Sequence, residues 1–349
     1  MAAEEVPLLG AVRQALDSGH PLDLLGLASM LILATTSGPV ILPPESEEKP
    51  AGIGELVASL IDVEVPETTA LLTVLGEMLG EGDALGARCR NAAAARRDAV
   101  PGWLAALGRT SVHRAVRMTH VLGDGDELLL GVRFADGQEM TCVVNIDHLA
   151  GSSVGDAFFV PDSVAAVLSV AEAANTDPDT TFDDITVADA RAGLHEALER
   201  PLSGLESAES DTWPACRALV QWLGRLMPPG GSSFLVTQWS PEQARDVCTR
   251  FLRSPAGAPF RDLEHRVLLL HCLQDGDPLR WSAARLSRLL ESAVAEDAVP
   301  SEARLDLPEM MAAFVPFAHA EAGISDELTA ESVAAVVEAA EDYRTAIRP

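Results

Sequence analysis

Acidic residues and a histidine crowd together at one place in this chain. Asp147 and His148 are adjacent, and Asp156 follows across the small-residue run Gly151-Ser152-Ser153-Val154-Gly155. A histidine oriented by a carboxylate can serve as a general base or a metal ligand. Loops at strand ends are common seats for such groups. Asp147, His148 and Asp156 are therefore the candidate catalytic set, for a hydrolase or a metal-dependent enzyme. The competing reading is that the two aspartates brace the loop and His148 is a hydrogen-bonded structural residue.

A second concentration is basic. Arg88, Arg90, Arg96, Arg97, Arg109, Arg114 and Arg117 fall within residues 86–121, where Asp98 is the only acid. Such an island can bind anions or nucleic acid. It can equally pair internally, because residues 291–349 hold 13 acids against 3 arginines. The chain as a whole carries 53 acids and 25 bases, for a net charge of −28. That charge repels phosphate backbones and anionic membranes, so nucleic acid and membrane are disfavoured as partners.

Cys248, His265, His271 and Cys272 have metal-ligand side chains, but their spacing fits no zinc pattern and helical phasing scatters them, so they read as core packing. Trp239 and Trp281 sit beside Ser240 and Ser282, where a tryptophan anchors a helix start against a core. The sequence contains no phosphate-binding glycine loop or dinucleotide fingerprint. No cofactor or metal is implied.

The elements that position these groups can be read from periodicity. Leu128, Leu130, Val132 and Phe134 alternate with other residues, and Met140, Cys142, Val144 and Ile146 repeat the pattern, which predicts two strands with one buried face. A two-residue turn at Asp136-Gly137 would mismatch those faces. A three-residue loop, Ala135-Asp136-Gly137 with Gly137 left-handed, pairs Phe134 with Gln138, Val132 with Met140 and Leu130 with Cys142. A strand at about 112–122 precedes them through the turn Gly123 to Asp126. A fourth, Ala157 to Val160, ends at Pro161, with Asp162 or Ser163 capping the next helix.

Around this sheet the pattern is helical. Helices are expected at 5–19, 22–34, 53–61, 67–79, 84–97 and 101–107 before the sheet. Those at 164–173 and 187–198 follow it, with an acidic turn-rich segment, Asn175–Asp184, between them. Ser37 to Pro50 is rich in proline and glutamate and reads as a surface loop. Ser203 to Ser210 is the expected boundary before a helical C-terminal part, in which Ser240-Pro241-Glu242-Gln243 is a capping box. The apolar run Leu22–Ala34 is about half a membrane-spanning length and contains Asp23, so it predicts a buried helix. Five cysteines without a C-x-x-C spacing suit a reducing cytoplasm.

Several longer stretches, "VPETTALLTVLGEML", "NIDHLAGSSVGDAFFVP", "DTWPACRALVQWLGRLMP", "GAPFRDLEHRVLLLHCLQDGDPLRWS" and "FVPFAHAEAGISDELTAESVAAV", together resemble a family of proteins of unassigned function from high-GC Gram-positive bacteria. The resemblance covers nearly the whole chain and implies one protein unit, without implying an activity or catalytic residue. Family members tend to read Asp-His-Asn where this chain has Asp147-His148-Leu149. They also continue past "PLRWS" into an apolar helix with a basic end, where this chain runs from Leu290-Glu291 into acids.

The sequence thus predicts a predominantly helical α+β protein. It has a helical N-terminal lobe (1–110), a small antiparallel sheet with helices (111–202) and a helical C-terminal lobe (203–349). The function expected first is a non-enzymatic cytoplasmic protein-interaction protein that binds a protein partner or itself. An enzyme built on Asp147, His148 and Asp156 and an anion binder built on the arginine island are the alternatives.

Overall fold

The computed structural model describes residues 7–36, 52–80, 82–200, 210, 212–235, 239–274, 276–294 and 301–347. Its centre is a five-stranded antiparallel sheet of β1 (Ser111–His120), β2 (Gly125–Arg133), β3 (Glu139–Asp147), β4 (Ser153–Val160) and β5 (Thr180–Ile185). The strand order is β4-β3-β2-β1-β5. Helices surround it, so the fold is predominantly helical α+β, as the periodicity predicts.

The β2–β3 hairpin has the register that face-matching requires. Leu130 pairs with Cys142 and Val132 with Met140. Phe134 N–H donates to Gln138 O at 2.9 Å, Gly137 N–H donates to Phe134 O at 3.0 Å, and Gly137 sits at φ 92°. Ser163 caps the helix after β4, accepting from Ala166 N–H at 3.3 Å.

Two strand assignments differ from expectation. β4 begins at Ser153, so the small-residue run is half strand and the β3–β4 turn is tight. The segment 175–184, expected as an acidic turn, contributes β5 instead. Its acids answer a basic edge on β1. Arg117 lies opposite Asp183, and Arg114 makes two hydrogen bonds to Asp184 at 2.7 and 2.9 Å. Opposite charges facing each other across strands stabilise the pairing.

The two faces of the sheet are used unequally. Leu128, Leu130, Val132, Met140, Cys142, Val144 and Ile146 enter a large core. The core is shared with α1 (Pro7–Asp17), α2 (Pro21–Thr36), α3 (Ile53–Asp62), α4 (Pro66–Met78), α5 (Ala84–Ala95) and α6 (Gly102–Ala105). The opposite face carries the row Val116, Leu129 and Val143. It is covered by α7 (Val164–Ala174) through Val164 and Leu168. Gly131 lets α7 come close, since a Cβ there would lie 2.6 Å from Val164 Cγ1.

After β5 come α8 (Val187–Glu199) and α9 (Trp213–Leu226). α9 buries Leu219, Val220, Trp222 and Leu223 in the first core. The cores therefore divide between Leu235 and Ala244, and α9 packs with the sheet although the sequence groups it with the C-terminal lobe. Ser37 to Pro50 and most of Ser203 to Ser210 lie outside the described residues.

The second core is built by α10 (Pro241–Arg253), α11 (Leu263–Cys272), α12 (Ala283–Val294), α13 (Ser301–Leu305), α14 (Leu307–Ala322) and α15 (Asp326–Ile347). The Ser240 box caps α10, with reciprocal hydrogen bonds between Ser240 and Gln243 at 3.2 and 2.8 Å. Trp281 is buried and donates to Pro278 O, and buried His319 accepts from Trp281 N–H at 3.2 Å. Cys248 and Cys272 are also buried in this core, while His265 bridges Asp262 and Asp306. Among the described residues no helix is long and apolar enough to cross a membrane.

Gly131→Ala should destabilise the chain by about 1–3 kcal/mol through overpacking against α7. Adding Val164→Ala should recover part of that loss. Urea unfolding of the two single variants and the double variant measures the coupling.

Candidate functional site

The β1–β2 and β3–β4 turns lie at the same end of the sheet, and the alternation of β2 and β3 carries polar side chains into the core there. Counting back from Leu128 puts Asp126 on the core face, and counting on from Ile146 puts His148 on the same face. Register brings Thr119, Asp126 and Ile146 side by side across β1, β2 and β3.

Asp126 is fully buried. Its Oδ1 accepts from Thr119 Oγ1 at 2.5 Å, and its Oδ2 accepts from His148 Nε2 and Arg117 Nη2, both at 2.9 Å. Burial alone would raise its pKa. The donors His148, Thr119 and Arg117, together with the Arg117 charge, outweigh burial and hold the carboxyl below its usual value. Arg117 also stacks over Phe234, 4.8 Å from the ring centre.

An ionised carboxylate only accepts hydrogen bonds, so His148 must present Nε2–H to Asp126. When the imidazole is neutral, that leaves Nδ1 with a lone pair. The Ser152 hydroxyl sits 2.9 Å from Nδ1 and donates to it in that state. Ser152 is the one described non-glycine residue with positive φ, at 62°. Its N–H donates to Asp147 O at 2.9 Å, closing the turn. The result is a chain Ser152–His148–Asp126 with donors and acceptors in the order of a proton relay.

The other two acids of the sequence-derived set serve different places. Asp147 has the opposite strand parity to His148. Its Oδ1 accepts from Ala150 N–H at 2.9 Å, and Oδ2 lies 4.0 Å from Arg288 of α12. Asp156 accepts from Ser210, Thr212 and the Ala157 N–H, bracing the entry to α9. Burial raises its pKa, but those hydroxyl and amide donors bring it below the usual value. His148 thus takes its carboxylate from Asp126, which the sequence reading assigned to a turn. The signal that could have found Asp126 is the alternation of β2, extended two residues towards the turn.

The C-terminal lobe meets this end of the sheet. Arg280 Nη1 donates to Val121 O at 2.6 Å. Asp124 accepts from the Ser282 hydroxyl at the start of α12. Burial raises its pKa, against lowering by Ser282 and the nearby Arg285 charge.

The arginine island divides in two. Arg90 donates to Gly76 O and Gly80 O, and Arg96 donates to Leu60 O, Ile61 O and Thr68. These bonds satisfy carbonyls at the ends of α4 and α3. Arg114 and Arg117 take their acids from β5 and β2, not from residues 291–349. Arg88, Arg97 and Arg109 are exposed.

All five cysteines are free thiols. Burial pushes Cys89 and Cys248 up to about 11, so these two are protonated at neutral pH. Among the described residues no group of three His, Cys, Asp or Glu side chains could hold a metal ion. No protein-family model, curated protein or solved structure matches this chain.

Asp126→Asn should cost about 3 kcal/mol at neutral pH, because it leaves Arg117 without its buried counter-charge. The folded-state pKa of Asp126 is depressed. Its stabilisation is therefore complete above the unfolded carboxyl value of about 3.9 and is lost as pH falls through the folded value. The stability difference between wild type and Asp126→Asn, followed by chemical unfolding, should shrink below about pH 4.

Proposed function

We propose that the chain is a protein-interaction module whose C-terminal lobe docks a partner along α11. One observation carries this reading. Leu263 and Val267, one turn apart on α11, are 74% and 47% exposed. Leu270, partly buried, continues the stripe, while Leu268, Leu269 and Cys272 face the core. A helix that is apolar on its solvent side as well as its core side offers a second packing surface. Spacing of i, i+4 and i+7 matches the way amphipathic helices meet.

Charge refines the partner. Arg261, Glu264 and Arg266 are exposed around the stripe. The lobe's surplus of acids disfavours nucleic acid as that partner. Five free thiols fit a reducing compartment, and we assign the protein to the cytoplasm.

The test is a photo-crosslinking side chain at Val267 in native cells, with exposed Arg253 as the control position. The reading predicts one defined protein adduct at Val267 that disappears when Leu263→Glu is added. That substitution places an acid in the first turn of α11, where it suits the helix. No adduct above the control, or an adduct to nucleic acid, would contradict it. Sedimentation of the purified chain tells a second copy from a different partner.

A further inference from the structure

We infer that Ser152 is an activated serine able to accept a short acyl group, an activity independent of the α11 surface. An activated nucleophile needs a base within hydrogen-bond reach and a third group that orients the base. Ser152 Oγ lies 2.9 Å from His148 Nδ1, and His148 Nε2 lies 2.9 Å from the Asp126 carboxylate. Thr119 and Arg117 hold that carboxylate in turn, so the imidazole cannot rotate without breaking its buried hydrogen bond to Asp126.

The backbone points the same way. Ser152 stands at φ 62°, a conformation that side-chain-bearing residues adopt at a cost, between exposed Gly151 and the start of β4. Strain held at a nucleophile-bearing turn fixes the direction of the hydroxyl. A brace for the turn alone would accommodate glycine or asparagine here with less strain.

Access sets the substrate class. Ser152 is 4% exposed, and Arg200 reaches over the turn to donate to Gly151 O at 2.9 Å. Approach past Gly151 therefore suits a compact ester such as an acetyl ester. Ser152 Oγ attacks the carbonyl carbon as its proton passes to His148 Nδ1. The C–O bond to the alcohol breaks, and that proton goes to the departing alkoxide. Water then attacks the acyl-serine, giving its proton to Nδ1, and the carboxylic acid leaves as the serine regains its proton.

The experiment treats the full chain with p-nitrophenyl acetate and, separately, with a small fluorophosphonate, followed by peptide mapping. The expected result is one adduct per chain, on Ser152, with a matching burst of p-nitrophenolate. Ser152→Gly, which suits the positive φ, should lose both, and His148→Gln should slow labelling by about a hundredfold. Absence of any adduct on Ser152 in wild-type protein with native circular dichroism would overturn the proposal. So would labelling that persists in Ser152→Gly, or equal rates with a folded His148→Gln.

Discussion

One buried negative charge organises the turn end of the sheet. Asp126 carries a carboxylate into a core built mainly from apolar side chains, and an unpaired charge there would cost several kcal/mol. Thr119, Arg117 and His148 remove that cost by donating to it from β1 and from the end of β3. In doing so they set the rotamer of His148 and hence the hydrogen bond that closes the Ser152 turn. Arg117 in turn lies under Phe234, which ties the segment after α9 to the same charge.

The same end of the sheet is where the two lobes meet. Val121 O and the Asp124 carboxylate face Arg280 and Ser282, while Asp147 faces Arg288. The β1–β2 turn is fixed from behind as well, because His148 N–H donates to Asp124 O at 2.9 Å. The polar network within the core and the polar contacts between lobes therefore share one piece of backbone.

How much of this was legible in the sequence depends on the range of the interactions. The β2–β3 hairpin was legible down to its register, because alternation and the glycine turn are local. The helix start at Ser240, and the one at Asp162 or Ser163, were legible for the same reason. β5 was not, since its acids gain a strand partner only from arginines on β1 some 70 residues away. Asp126 was obscured by its setting in Gly123-Asp124-Gly125-Asp126, a composition that reads as solvent-facing turn. Strand parity carried two residues further into the turn puts it and His148 on the core face, and Asp147 on the other. Adjacency makes Asp147 a poor partner for His148, because neighbours along a strand point apart.

The direct test of this account is the tautomer of the His148 ring in its neutral form, read from its two-bond 15N–1H correlations. An ionised Asp126 that governs the site predicts that the neutral ring carries its proton on Nε2, with Nδ1 unprotonated and facing Ser152. A proton on Nδ1, or rapid exchange between the two nitrogens, would mean that Asp126 does not orient His148, and the account of this end of the sheet would fail.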